Sequence, residues 1–422
     1  MNAEISGREA TTAAINLQTG HILLARDKSK QPTPLVVDIV FRVGYKLKHV
    51  IMFVFILHLA SGCAGNRAVT GLESATPESK FPQTVVPLLV TTVREPTDEA
   101  NIAYSGTRST RLNFSEVDVR IPATHRPGSV DTSSSRPEVT RHFTAFNYKP
   151  LQDSSAFVAE LNRRIANSSV AKSEAFIFVH GYNNNFAESL FRNAQIVHDY
   201  QIGGVPIHFS WASAASFTRY LYDRDSAIIA RKGLAQTLEL VTKTKANGIV
   251  LVGHSMGAVV IMEALRTLSL EKREDVLKSI KGVMLAAPDL DPDLFRSQIE
   301  DINPLPQPFT IVVSRRDRAL DISRRLAGGE PRIGSGHDIA FLQKKNVQVL
   351  DISQVDSGGH SVFASSSTLI KLLGSGPLLR RLITDEYAGM DAAFIALGRG
   401  TLEQASLALH LPARVIDRIS ER

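Results

Sequence analysis

Cysteine is nearly absent from this chain, because Cys63 is the only one among 422 residues. An internal disulfide is therefore excluded, and no cluster of cysteine and histidine ligands suggests a metal site. We expect neither a metal nor a cofactor. Concentrated positive charge is also lacking, since the residues from Cys63 onward hold 41 basic and 38 acidic side chains. Nucleic acid is consequently not an expected partner.

The apolar run from Val50 to Ala60 is too short for a transmembrane helix. Basic residues precede it and small residues follow it, which is the order of parts in a secretory signal. Residues 59 to 63, Leu-Ala-Ser-Gly-Cys, resemble the lipobox of bacterial lipoproteins. The resemblance implies that Cys63 is lipid-modified and becomes the new N-terminus. An ordinary signal peptide or a buried core helix is the alternative.

Ser255 stands at the centre of a G-x-S-x-G motif that runs from Gly253 to Gly257. The small and apolar residues 248–252 before it indicate a buried strand, and apolar residues at helical spacing follow it. This context is typical of a nucleophile elbow, a sharp strand-to-helix turn that exposes a serine. Glycines flank the serine because a side chain there would collide with the neighbouring strand or helix. Ser255 is therefore the predicted nucleophile.

Strand and helix patterns alternate through most of the chain after residue 150. Apolar strands with helices between them are predicted at 175–179, 206–211, 249–252, 282–286, 309–314 and 347–352. Repeated units of this kind imply an α/β fold, with a mostly parallel sheet covered by helices on both faces. Ligands of such sheets bind at the carboxyl ends of the strands, where the candidate residues fall.

A serine nucleophile needs a base and an acid, which follow it in the order acid, then histidine, in elbow folds. His337 precedes the last predicted strand, and His410 lies in the C-terminal segment. His360 lies in the loop directly after that strand, from which an imidazole can reach the carboxyl edge of the sheet. His360 is therefore the predicted base.

The acid has two candidate positions in the chain. Asp317 follows the strand at 309–314, whereas Asp289 and Asp291 follow the strand at 282–286. We favour Asp317, because its short loop fixes the carboxylate near the end of the strand. Asp289 could instead cap the helix that begins near Pro292. Pairing of Asp317 with the neighbouring arginines is the competing structural interpretation, and the earlier strand stays open as the source of the acid.

An oxyanion hole combines the amide after the nucleophile with an amide from the loop after an earlier strand. The first is the N–H of Met256. The loop that begins His180-Gly181-Tyr182 follows a buried strand, and its flexible backbone makes the Tyr182 N–H the expected second donor. A plain turn rich in glycine and asparagine is the alternative interpretation of this loop.

These residues, taken in order, resemble the bacterial α/β-hydrolase family of unknown function, over about residues 85–375. One departure is Ala212, which stands where the family commonly carries proline. The resemblance implies the α/β-hydrolase fold and a triad of Ser255, Asp317 and His360, and it supplies no substrate. The matching blocks are 91–94, 121–128, 180–183, Arg192 with Gln195 and Asp199, 209–211, 253–257, 287–289, Ser314 with 317–320, and His360.

The predicted organisation has four parts. Residues 1–62 are an upstream extension and a lipoprotein-type signal, and residues 63–84 are a flexible tether, being polar and without periodicity. Residues 85–375 form the α/β-hydrolase domain, and residues 376–422 a C-terminal helical extension. Because the signal begins some forty residues into the chain, we expect a true start near Val43, or else a cytosolic extension upstream of the signal.

The predicted function is that of a serine hydrolase, acting like an esterase or lipase on an ester or related acyl substrate. A lipid on Cys63 would hold it at the cell envelope, and the resemblance to Gram-negative lipoproteins implies the periplasmic face of the outer membrane. Two alternatives from other classes stay open. One is a non-catalytic envelope scaffold that retains the fold, and the other is a lipid acyltransferase that uses the same serine.

Overall fold

The computed structural model describes residues 14–15, 22–23, 67–72, 84–98, 103–168, 173–374 and 408–410. The chain forms two compact units, Met1–Gly65 and Asn66–Arg422. In the first unit, the short strands Ala14–Ile15 and Ile22–Leu23 pair in antiparallel fashion. The predicted signal and Cys63 lie outside the described residues. No helix of the described part is long and apolar enough to cross a membrane.

The described part of the second unit contains a ten-stranded sheet with the order β10-β9-β8-β7-β6-β4-β5-β1-β2-β3. The seven strands from β9 to β1 in this order run parallel, and β2, β3 and β10 are antiparallel to their neighbours. The predicted mostly parallel sheet is thus confirmed. Its strands are β1 Thr84–Pro96, β2 Tyr104–Ile121, β3 Thr144–Leu151, β4 Ala175–Val179, β5 Val205–Ser210, β6 Ile249–His254, β7 Ile280–Ala286, β8 Phe309–Val313, β9 Val347–Asp351 and β10 Ala408–His410.

Helices cover both faces of the sheet, as central β4 shows. Phe176 and Phe178 point to the face covered by α9 and α10, while Ile177 and Val179 point to the face covered by α3 and α4. All five residues of β4 are buried, as expected for a strand between two helical layers. The helices are α1 Ser154–Ala166, α2 Phe186–Asp199, α3 Tyr220–Thr242, α4 Gly257–Leu270, α5 Glu274–Ser279, α6 Pro292–Asp301, α7 Arg318–Leu326, α8 Ile339–Lys344, α9 Val362–Ser365 and α10 Ser367–Leu373.

Two predicted segments differ from what the structure shows. Residues 67–72 of the predicted flexible tether pack on the domain, because the Val69 N–H donates to Ser133 O at 3.0 Å and Thr70 O accepts the Ala145 N–H at 2.7 Å. The prediction of a flexible tether is wrong for these six residues. The predicted helical extension is described only at β10, which pairs with β9 as a strand. The prediction of a helix is therefore wrong for these three residues. Residues 376–407 and 411–422 lie outside the described part.

Candidate active site

Ser255 occupies a strained turn between β6 and α4. Its φ is +53°, in the left-handed region that costs a residue with a side chain about 1–3 kcal/mol. The Ser255 N–H donates to Ala286 O of the adjacent β7 at 2.9 Å, which fixes the turn against the sheet. A Cβ on Gly257 would lie 2.4 Å from Val179 O, and one on Gly253 would lie 2.6 Å from Ile261 Cδ1. The steric reason for both glycines is thus confirmed.

Asp317 and His360 lie together at the carboxyl ends of β8 and β9. His360 Nδ1 is 2.7 Å from Asp317 Oδ2. The other carboxylate oxygen, Oδ1, accepts the N–H groups of Ala319 and Leu320 at 3.0 and 3.1 Å, so Asp317 is also the N-cap of α7. Because a carboxylate can only accept, the neutral imidazole carries its proton on Nδ1 and has a free lone pair on Nε2.

His254, the residue before Ser255, holds the loop that carries His360. His254 Nε2 donates to His360 O at 3.1 Å, and the two ring centroids are 4.8 Å apart. Burial, with a smaller contribution from the nearby His360, lowers the pKa of His254 to about 3. His254 is therefore neutral at physiological pH and acts as a fixed donor. The sequence analysis missed this role, although His254 lies inside the G-x-S-x-G motif.

The earlier aspartates have structural partners of their own. Asp289 is paired with Arg332 Nε at 3.2 Å and accepts the hydroxyls of Tyr220 and Ser323. The expectation that Asp289 caps the helix near Pro292 is wrong, because Asp291 is that cap and accepts the N–H groups of two residues of α6. The cap falls on Asp291 because it is the residue directly before the first helical position.

The neighbouring arginines do not take the Asp317 carboxylate. Arg315 Nε lies 3.8 Å from Asp351, and Arg316 Nη1 donates to Ser353 O at 3.5 Å. In the described part of the chain, Arg318 forms no ion pair. The competing interpretation of Asp317 as an arginine partner is therefore wrong, and His360 is its side-chain partner. Whether Asp317 serves as the acid of a triad stays a prediction.

The loop after β4 approaches Ser255 closely. A Cβ on Gly181 would lie only 3.0 Å from Ser255 Cβ, so glycine is needed there for the backbone to reach the elbow. Within the described part of the chain, the N–H groups of Tyr182 and Met256 make no hydrogen bond. Unpaired donors beside a nucleophile are what an oxyanion hole requires. The two amides are thus available, and their catalytic use stays a prediction.

Asp223 of α3 fixes this loop and was missed by the sequence analysis. Its carboxylate accepts the Asn183 N–H at 3.2 Å, the Ala214 N–H at 2.7 Å and the Ser213 hydroxyl. Burial raises the pKa of Asp223, and these hydrogen bonds oppose the rise. The fully buried Arg94 donates to Asn184 O at 2.9 Å and to Ser213 O at 3.0 Å. Together the two residues hold the segment directly after Tyr182.

Asp199, which belongs to one of the blocks that resemble the family, serves a different region. Its carboxylate is bonded to His125 Nε2 at 2.6 Å, His198 Nδ1 at 2.8 Å and the Gly128 N–H at 2.7 Å. Burial would raise the pKa of Asp199, but these hydrogen bonds outweigh it and hold the pKa below its usual range. Asp199 therefore anchors the long loop after β2. Asp199 thus joins the two histidine side chains, and His125 Nδ1 is buried without a hydrogen-bond partner among the described residues.

A cavity of about 280 Å³ opens at Ser255 and His360. Much of its wall is aromatic or aliphatic, with Tyr182, Phe217 and Tyr220 on one side and residues of α7 on the other. No hydrogen bond joins Ser255 Oγ to His360 Nε2 within the described residues, although both side chains line the cavity. Such bonds are often long in unliganded enzymes and shorten once substrate is bound.

The fold and the elbow define an α/β-hydrolase. The chain belongs to the family described as alpha/beta hydrolase of unknown function (DUF900), which matches residues 153–376. A comparison with curated proteins gives no match. Among solved structures, carboxyl esterase 2 from the mycorrhizal fungus Tuber melanosporum has 12% identity and a TM-score of 0.34, over 74% of this chain and 87% of the other. An esterase from Pyrobaculum calidifontis has 11% identity and a TM-score of 0.29, over 55% and 94%.

Proposed function

We propose that this hydrolase is a serine esterase in which Ser255 is the nucleophile, His360 the base and Asp317 the acid. The observation that carries the proposal is the 2.7 Å bond from His360 Nδ1 to Asp317, beside a cavity that Ser255 also lines. The bond fixes the tautomer with Nε2 free, as a base that must take a proton from serine requires. The strained turn presents Ser255 to the same cavity.

The reaction proceeds in two half-reactions. His360 Nε2 takes the proton of Ser255 Oγ while the oxygen attacks the ester carbonyl, and the N–H groups of Tyr182 and Met256 bind the oxyanion. The imidazolium then gives this proton to the leaving alkoxide, which departs as an alcohol and leaves an acyl-serine. Water attacks the acyl-serine and gives a proton to His360, which returns it to Ser255 as the acid leaves.

The apolar wall of the cavity favours an ester with a hydrocarbon acyl group. Phe217, Ile322 and Leu326 offer surface to such a group and no hydrogen-bonding partner. The only carboxylate on the wall, Asp289, is already occupied by Arg332 and two hydroxyls. A charged substrate group would therefore find no free counter-ion of either sign among the described residues of the wall.

The site of action proposed for this esterase is the cell envelope, with the chain anchored by a lipid on Cys63 at the periplasmic face of the outer membrane. The support is the Leu-Ala-Ser-Gly-Cys segment after an apolar run with basic residues before it. The ester substrate would then be an envelope molecule, with a membrane lipid as the first candidate.

The esterase proposal is tested with a fluorophosphonate probe and a panel of esters of graded acyl length. Wild-type protein should be labelled and active, whereas Ser255→Ala should lose both properties and keep its fold. Ser361→Ala is the matched control, because Ser361 lines the same cavity but lies outside the elbow. Labelling that persists in Ser255→Ala and disappears in Ser361→Ala would assign another nucleophile. Unlabelled wild-type protein would favour the non-catalytic scaffold.

A further inference from the structure

Exposed large apolar side chains gather around the site cavity. Seven of the nine in the described part lie on α3, α6, α7 or the short turn before α3, and the other two are Val85 and Leu270. Single exposed apolar residues are common on protein surfaces, but a concentration around one opening marks an interaction surface. The seven are Phe217, Leu221, Ile228, Ile229, Leu294, Ile322 and Leu326.

Most of these side chains line the cavity or the groove beside it. Phe217, Ile322 and Leu326 line the cavity itself. Ile228 and Leu294 line a neighbouring groove of about 250 Å³, which shares Tyr220 and Asp289 with the cavity. Leu221 is 72% exposed and precedes Ile228 by seven positions, which places the two side chains on one face of α3. We call this surface the apolar rim, and it consists of Phe217, Leu221, Ile228, Leu294, Ile322 and Leu326.

Unpaired positive charge accompanies the apolar rim. Arg224 of α3 and Arg318 and Arg325 of α7 are exposed and form no ion pair with another described residue, whereas Asp225 is the one exposed aspartate of these two helices that is unpaired in the described part. Arginines beside exposed apolar side chains match a surface that presents phosphate groups above hydrocarbon.

The polypeptide also enters the domain beside this mouth. Arg67 Nη1 donates to Asn183 O at 3.1 Å, and Asn183 lines the site cavity. Cys63 precedes Arg67 by four positions in the sequence. Four residues span at most about 14 Å even when fully extended. The chain therefore reaches the described part of the second unit at a residue that contacts the wall of the cavity.

We propose that the apolar rim inserts into the surface of an anionic lipid bilayer, so that esters within the bilayer reach Ser255 directly. This inference rests on the proposed esterase function for its substrate and deepens it by naming the surface through which a membrane lipid ester reaches the site. The competing occupant of the rim is a second copy of this chain. Binding of the bilayer itself requires only the rim and can be measured without catalysis.

The experiment compares two full-length variants, both also carrying Cys63→Ser so that no lipid anchor contributes. The rim variant is Leu221→Asp with Ile228→Asp, and neither residue lines the site cavity. The control variant, Val85→Asp with Leu270→Asp, changes charge equally at two exposed residues. Leu270 ends α4 and Val85 begins β1, so both lie toward the opposite edge of the sheet. Binding is measured by co-sedimentation with vesicles of phosphatidylcholine and phosphatidylglycerol in equal amounts.

The rim variant should bind vesicles about tenfold or more weakly than the Cys63→Ser parent, since each buried apolar side chain contributes at least that factor. The control variant should bind like the parent. Hydrolysis of an ester held in vesicles should fall similarly in the rim variant, while hydrolysis of a soluble short ester stays within about twofold.

Equal vesicle binding by both variants would overturn the proposal that the apolar rim inserts into the bilayer. A parent that is dimeric by light scattering, with a monomeric rim variant and unchanged vesicle binding, would assign the rim to a second copy instead. If the parent hydrolyses neither ester, the esterase proposal fails. The vesicle-binding measurement still tests whether the apolar rim binds a bilayer.

Discussion

Replacement of Asp317 by asparagine separates the two tasks of one side chain. Oδ1 caps α7 by accepting two backbone N–H groups, and Oδ2 accepts the proton of His360 Nδ1. In Asp317→Asn the single remaining oxygen must stay at the cap, because an amide NH₂ cannot accept those N–H groups. The NH₂ group then faces His360 Nδ1. The imidazole must accept there and carry its proton on Nε2, where it can no longer act as a base.

The expected loss in turnover is about 10³- to 10⁴-fold, the size found when a triad acid is neutralised. This loss corresponds to about 4 to 5.4 kcal/mol of activation free energy. The free energy of unfolding should change by less than about 1 kcal/mol, because asparagine is as good an N-cap as aspartate. Steady-state hydrolysis of a soluble ester and urea denaturation measure the two quantities separately.

Asp291→Asn is the matched control, because Asp291 caps α6 through the same kind of contact and has no histidine beside it. It should keep wild-type turnover. The reasoning would be refuted by full activity in purified Asp317→Asn together with loss of activity in Asp289→Asn or Asp291→Asn, which would place the acid after β7. A large loss of stability in Asp317→Asn without loss of turnover would show that Asp317 serves only as a helix cap.

Three further outcomes are expected. Asp289→Asn should lower the free energy of unfolding by about 3 kcal/mol, because it leaves Arg332 buried without its counter-ion. An unchanged midpoint of urea denaturation would contradict this prediction. Asp223→Ala should lower kcat up to about 100-fold with little change in KM, because the loop of Tyr182 loses its anchor, and a change in KM alone would indicate a binding role. The Cys63→Ser protein should no longer partition into the detergent phase. An unmodified N-terminus upstream of residue 43 in the wild-type protein would refute the lipid anchor.

The fold was predictable because its signals are local. Buried strands such as 175–179 are short apolar runs, and the motif around Ser255 combines a strand, two glycines and a helix within a few residues. The order of elements then led to His360 and Asp317, since side chains that follow parallel strands meet at one edge of the sheet. The structure places these two side chains in contact, and their catalytic roles await experiment.

The parts that were missed depend on contacts between distant segments. Asp223 lies in the middle of the chain and fixes a loop some forty residues before it, and no local pattern marks such a buried acceptor. Residues 67–72 are polar and aperiodic, which predicted a tether, yet their backbone groups pair with the domain. Strand β10 joins the sheet by pairing with β9, although its helical spacing suggested otherwise. Tertiary contacts outweigh local preference at such positions.

The double use of Asp317 links the histidine to a surface helix. Its carboxylate holds the first turn of α7, and the same helix carries Ile322 of the apolar rim at its middle and Leu326 at its other end. α7 has nine residues and spans about 13 Å, so it would move as a short rigid body about the carboxylate that caps its first turn. A tilt of the helix would turn that carboxylate and shift the imidazole that depends on it. If His360 is the base of the proposed mechanism, a force on the outer end of α7 would alter proton transfer through the Asp317 carboxylate.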